Sequence, residues 1–164
     1  MLTRKSRLLL GLTAAVPLLF AACTDNNVFN PMADAAGTYQ LTVFAGKSVP
    51  GATFTIPPGD PTYGTYAPNG GHLVVTGGNL VLSNNGTFVE TNNYSITPSG
   101  GSSQNYQFVS SGTWTLNGTS FTLSDPSRNR QVSGTLEADL NNNLTVNYAE
   151  DDGTGTFQQY EYKR

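Results

Sequence analysis

The stretch Phe108–Leu123, F-V-S-S-G-T-W-T-L-N-G-T-S-F-T-L, decides the fold class. Apolar and hydroxyl side chains alternate through it, the period of a strand whose two faces meet different surroundings. Asn117-Gly118 is the pair favoured by a two-residue type I′ turn, because both central positions need φ > 0. That turn would pair Leu116 with Thr119, Trp114 with Phe121 and Gly112 with Leu123 on one face. Thr115 with Ser120 and Thr113 with Thr122 would form the other face. One side is apolar and aromatic, the other carries hydroxyls, as in the wall of a barrel or sandwich. The single tryptophan faces inward, where it either borders a cavity or plugs one.

The same grammar extends on both sides. Gly37–Phe44 (G-T-Y-Q-L-T-V-F) reads as a first strand with Tyr39, Leu41 and Val43 on one face. His72–Thr76 and Asn79–Ser83 flank Gly77-Gly78, which predicts a hairpin pairing Val75 with Leu80 and Leu73 with Leu82. At Ser83–Thr87 a three-residue loop with Gly86 in the left-handed position sets Leu82 opposite Phe88. That register is preferred because it keeps the apolar side chains on one face. Phe88, Glu90, Asn92 and Tyr94 then share the interior with Tyr106, Phe108, Gly112, Trp114 and Leu116. Arg130–Leu140 presents Val132, Gly134, Leu136, Ala138 and Leu140 on one face. The loop Asn141–Asn143 would pair Leu140 with Leu144, Ala138 with Val146 and Leu136 with Tyr148. The final alternating run, Gly155–Tyr162, fits either face.

The reading is all-β, with no helix: an antiparallel up-and-down meander of about eight to nine strands. Closing such a meander into a barrel removes its exposed edges. Composition agrees. Only 12% of residues are charged, too few for amphipathic surface helices, while eight Tyr, eight Phe and one Trp argue against disorder. Residues 45–71 interrupt the pattern with Pro50, Pro57, Pro58, Pro61 and Pro68, which exclude central strands. Short β pieces are expected near Thr53–Ile56 and Thr62–Tyr66, and the excursion is placed across one barrel end as a lid.

Residues 1–22 carry a basic start, an apolar run Leu8–Phe20 and small residues before Cys23, the pattern of an exported leader. Leu19-Phe20-Ala21-Ala22-Cys23 resembles the lipobox of bacterial lipoproteins, with Phe20 where Leu is usual. The resemblance implies that Cys23 is acylated and becomes the mature N-terminus. A lone cysteine has no disulfide partner, and several acyl chains hold a protein stably on a membrane. Thr24–Ala36, with Pro31, reads as part of a flexible tether spanning 23–36, and the barrel domain occupies 37–164. Asp25 stands one position later than the inner-membrane retention pattern asks, which leans the address towards the outer membrane of a diderm envelope. Three of the eight basic residues precede Cys23 and all eleven acids follow it, so the mature part carries −6. No basic patch is left for nucleic acid.

The residues do not assemble a catalytic or metal motif. His72 is the only histidine and reads as an exposed turn residue. Glu150-Asp151-Asp152-Gly153 lacks the alternating oxygen ligands of a calcium loop and reads as a solvated turn. No cofactor is expected. Glu90 and Arg130 fall on inward faces, where a charge is costly unless paired or wet. Either they sit at a wet rim or they line a polar pocket.

The mature chain resembles the small bacterial lipocalin-like lipoproteins. The likeness rests on the leader ending at Cys23, G-T-Y-Q-L-T at Gly37–Thr42 and N-L-V-L-S-N-N-G-T-F at Asn79–Phe88. It also uses Ser111–Leu123 and Q-Y-E-Y-K-R at Gln159–Arg164. Lipocalins open with Gly-x-Trp and cover the Trp with a late basic residue. Here Tyr39 takes the Trp place, with Lys163 or Arg164 as the late partner. The resemblance implies a barrel with an interior. The expected function is that of a non-enzymatic envelope lipoprotein, bound to the membrane through its acyl chains, holding a small apolar or amphipathic ligand. Tyr39, Phe88, Glu90, Tyr106, Phe108 and Trp114 would line the site. The alternative is a filled barrel acting as a structural or interaction module, since eight strands are only just wide enough to be filled by side chains.

Overall fold

The computed structural model describes residues 31–151 and 157–164. The leader and Cys23 lie outside the described residues. Ten strands occur among them: β1 (Gly37–Phe44), β2 (Lys47–Ser48), β3 (Ala52–Ile56), β4 (Gly71–Leu82) and β5 (Thr87–Pro98). They continue as β6 (Gln104–Asn117), β7 (Ser120–Asp125), β8 (Arg130–Ala138), β9 (Leu144–Asp151) and β10 (Phe157–Lys163). From β4 to β10 each strand pairs antiparallel with the next, β10 returns to β1, and β1 pairs with β4. The result is an eight-stranded, closed, up-and-down barrel, the architecture read from the meander and one consistent with a lipocalin-like fold.

Closure is uneven. Gly37–Gln40 pair with Asn79–Leu82, but further along β1 and β4 diverge. The gap is filled by the excursion: β2 pairs with the end of β1 and β3 with the first half of β4. Gly77-Gly78 is therefore not a hairpin turn. β4 runs straight through it, with a bulge between Val75 and Gly77 where it exchanges β3 for β1 as neighbour. A Cβ at Gly78 would lie 2.5 Å from Asn92 Oδ1 and 2.8 Å from the Thr91 carbonyl, so glycine marks a close approach there.

Other registers differ from expectation by two residues. Asn117 pairs with Ser120, Leu116 with Phe121 and Trp114 with Leu123, so the turn residues are Gly118-Thr119. Gly118 alone has positive φ (62°), at the first central position, where a glycine-led hairpin turn takes it. The β8–β9 loop is likewise longer. Ala138 pairs with Leu144 and Leu136 with Val146, so Leu140 is fully exposed at the tip instead of inward. Asp139 stabilises that loop by accepting from the Asn141 and Asn143 backbone amides at 2.7 and 2.9 Å. A shift of two leaves each side chain on its face, so Trp114, Leu116, Phe121, Leu123 and Leu136 point where the alternation put them. In β1 a bulge between Leu41 and Val43 changes the parity and brings Phe44, not Val43, into the core. The Ser83–Thr87 loop has its expected form, with Leu82 opposite Phe88 and Gly86 at φ 82°.

The two ends of the barrel are built differently. At one, the single helical turn α1 (Pro31–Ala35), an element the sequence did not signal, buries Ala35. Tyr39 donates to the Ala35 carbonyl at 2.5 Å, and Arg164 lies over the Tyr39 ring at 5.6 Å. Trp114, Phe121, Phe88, Leu80 and Leu82 fill the lumen behind it. At the other end, residues 57–70 cross the mouth. They form turns through Thr62–Tyr66 and no strand, and bury Tyr63 and Ala67.

Candidate functional site

Midway along the lumen the lining changes from apolar to charged. Along β5, Phe88 faces the plugged end, and the next inward residues are Glu90 and Asn92. Glu90 is 2% exposed and reaches across the lumen. Its Oε1 accepts from the Tyr148 hydroxyl on β9, from the Tyr162 hydroxyl on β10 at 2.6 Å and from Asn92 Nδ2 at 3.2 Å. Its Oε2 pairs with Arg130 Nη1 on β8 at 2.6 Å. Arg130 also holds Glu150 on β9 through two bonds of 2.7 Å, and Nη1 donates to Ser110 Oγ at 3.1 Å. Ser110 in turn donates to Asp125 at 2.7 Å. A carboxylate so buried is tolerable because each oxygen has a donor and one faces a guanidinium.

These contacts set the protonation pattern. Burial, then the charge of Glu90, pushes the Tyr148 and Tyr162 hydroxyls well above the ordinary phenol range, so both remain donors. Burial alone would lower Arg130, but the Glu150 hydrogen bond and the Glu90 charge outweigh it and the guanidinium is held charged. Asp125 is lowered to about 2, first by its hydrogen bond from Ser127.

Above this polar belt lies a cavity of about 340 Å³. Glu90 and Asn92 are at its floor; Tyr94, Phe108 and Tyr160 form an aromatic wall, with Tyr63 on the crossing segment. Arg130, Glu150, Asp151 and Arg128 face them from the far side. Tyr94 meets Phe108 edge-on at 5.2 Å and Tyr63 at 6.2 Å, while Tyr66 clasps Tyr106 at 4.5 Å and Phe108 at 5.7 Å. The segment 57–70 is thus tied to the barrel by ring contacts.

Of the six residues proposed from sequence to line a site, Glu90 and Phe108 border this cavity. Tyr39, Phe88 and Trp114 pack at the plugged end, where the Trp114 indole N–H donates to the Ser83 carbonyl at 2.9 Å. Trp114 plugs the barrel. Tyr106 hydrogen-bonds Gln104 and borders a separate groove with Thr76 and Asn93. His72 is exposed on β4, outside the cavity lining. Glu90 and Arg130, on inward faces in the alternation, meet as an ion pair. Glu150, read as part of a solvated turn, belongs to the same cluster, and its parity with Tyr148 was the available signal. Tyr160 and Tyr162 carried no usable signal, because the last strand's register was undetermined.

The protein is, by its fold, a closed eight-stranded antiparallel barrel, half filled and half hollow. No protein-family profile, curated protein or solved structure matches the chain.

Proposed function

We propose that this is a non-enzymatic, lipid-anchored protein of a bacterial cell envelope, of lipocalin-like kind, whose barrel holds a small amphipathic molecule. The observation that carries the binding reading is the cavity of about 340 Å³ beneath the crossing segment, aromatic on one side and polar on the other. Its volume falls within the roughly 300–1,000 Å³ of small-molecule sites. The Arg164 guanidinium over Tyr39 supports the lipocalin-like part, since it repeats with Tyr the arrangement those proteins make with Trp. The lipobox-like run ending at Cys23 supports the anchor, and Asp25 favours the outer membrane. A binding role is preferred to a catalytic one because Arg130 and Glu90 are occupied in holding each other and their neighbours.

Native mass spectrometry of the full chain extracted from its own host's membranes tests this. A co-purifying small molecule is expected in the wild type and lost in Ser110→Phe, which fills the cavity from β6. An identical spectrum for both proteins would sink the ligand. Cys23→Ser should move the protein from membrane to soluble fraction. The second reading, an interaction module, draws on the side chains that fill the opposite half of the lumen.

A further inference from the structure

The two charged groups that face each other across the cavity wall, Arg130 and Glu150, differ in the hydrogen-bonding capacity they have left. A guanidinium has five N–H donors. In Arg130 one Nε–H and one Nη2–H serve Glu150, two Nη1–H serve Glu90 and Ser110, and the second Nη2–H serves the Tyr148 hydroxyl at 3.3 Å. The innermost cation therefore has no donor left for an anion. A carboxylate, by contrast, accepts about four hydrogen bonds. Among the described residues Glu150 takes two, both from Arg130, and its side chain is 28% exposed at the cavity wall.

Charge points the same way. One guanidinium is shared between Glu90 and Glu150, and Asp151 adds a further carboxylate to the lining. Arg128, at the rim with its side chain about half exposed, is set against Asp125 at 3.8 Å. Carboxylates thus outnumber guanidiniums around the cavity, among the described residues. The opposite wall is aromatic, with Tyr63, Tyr94, Phe108 and Tyr160. Ring faces are negative and attract cations, most strongly where water is excluded.

We infer that the cavity takes an organic cation: an ammonium group on an apolar or aromatic body, the ammonium on Glu150 and the body against the four rings. This rests on the cavity's being a ligand site. At the inner wall an anion would meet a guanidinium whose donors are all taken, in a lining where carboxylates outnumber guanidiniums. A neutral molecule would gain the rings and ordinary hydrogen bonds, without the charge attraction.

Three probes with one skeleton separate the two claims: 3-phenylpropylamine, 3-phenylpropan-1-ol and 3-phenylpropanoate. They are titrated calorimetrically into the full chain in non-ionic micelles, with micelles alone as blank. The amine should bind roughly tenfold or more tighter than the alcohol, the worth of one charge-assisted hydrogen bond, and the acid weakest. Raising salt should narrow the gap between amine and alcohol. Glu150→Gln should cut amine affinity, leave the alcohol unchanged and improve the acid, because it frees Arg130. Should that variant misfold, the wild-type ranking and its salt dependence decide alone. Equal affinity for amine and alcohol, or preference for the acid, overturns the cation and leaves the cavity reading standing. Binding of none of the three counts against both.

Discussion

The two halves of the barrel are lined by the same strands, yet they solve opposite problems. At the α1 end, bulky side chains fill the lumen and their few polar atoms are satisfied by backbone: Trp114 on Ser83, Tyr39 on Ala35. At the other end aliphatic Leu73, Val75 and Ile96 are still buried, but the polar, charged and aromatic side chains of β5, β8, β9 and β10 bind one another around a cavity. The change happens over one inward step of β5, from Phe88 to Glu90, about 7 Å of strand. A small barrel has room for only one core. Here that core runs the length of the lumen, and the charged cavity is opened on one side of it at the end away from Trp114.

The largest effect should come from breaking the plug. Trp114→Ala removes a fully buried indole and takes one of two donors from the Ser83 carbonyl, which keeps the Gly86 amide. A loss of roughly 3–5 kcal/mol in denaturant-measured stability is expected. Once the variant is held folded by low temperature, probe binding at the other end should be nearly unchanged. Equal damage to both would mean that the halves are one unit. Arg130→Met is the converse experiment. It leaves Glu90 and Glu150 without their shared cation, a loss at the lower end of the roughly 3–5 kcal/mol seen when a buried pair is broken, since Arg130 keeps some solvent contact. Ligand affinity should change in this variant and hardly at all in Trp114→Ala.

Much of this division was legible in the sequence, for a physical reason. Inward and outward side chains alternate with period two, and the hairpin errors at Asn117-Gly118 and Asn141–Asn143 were both by two residues, which preserves faces. Alternation alone thus places Glu90 and Arg130 inside. What alternation does not encode is contact across the lumen. Glu90 on β5 meets Tyr148 and Tyr162 on β9 and β10, partners fixed by curvature and closure. Local grammar also misled where one residue type serves two uses. Gly77-Gly78 looks like a turn but relieves a close approach. Among the described residues, the two-residue turn with both central residues at positive φ is Ala45-Gly46 (47° and 75°), where an alanine hides the signal. Glu150 was obscured in the same way, by lying in an acidic run that resembles a solvated turn.

The smallest expected effect concerns a carboxylate at each end. Asp125 supports the cavity rim, accepting from Ser127, Ser110 and the Ser111 amide. Asp139 holds the β8–β9 loop at the plugged end, accepting from Asn143 and Asn141, bonds that lower its pKa. Asp125 falls from an ordinary 3.8 to about 2, so the folded protein holds that proton less tightly than the unfolded chain. Its contribution to stability is then complete above about pH 4 and is lost as the pH falls towards 2. Denaturation midpoints between pH 5 and 2 should decline less steeply in Asp125→Asn than in the wild type, though Asp139 and Glu161, also lowered, keep part of the slope. Asp139→Asn should flatten the same region by the same logic. The two variants part at the site: Asp125→Asn alters the acceptor behind Ser110 and Arg130 and should shift probe affinity, whereas Asp139→Asn should leave it alone. If both move affinity alike, the plug and the cavity communicate, and the filled half is part of the binding device.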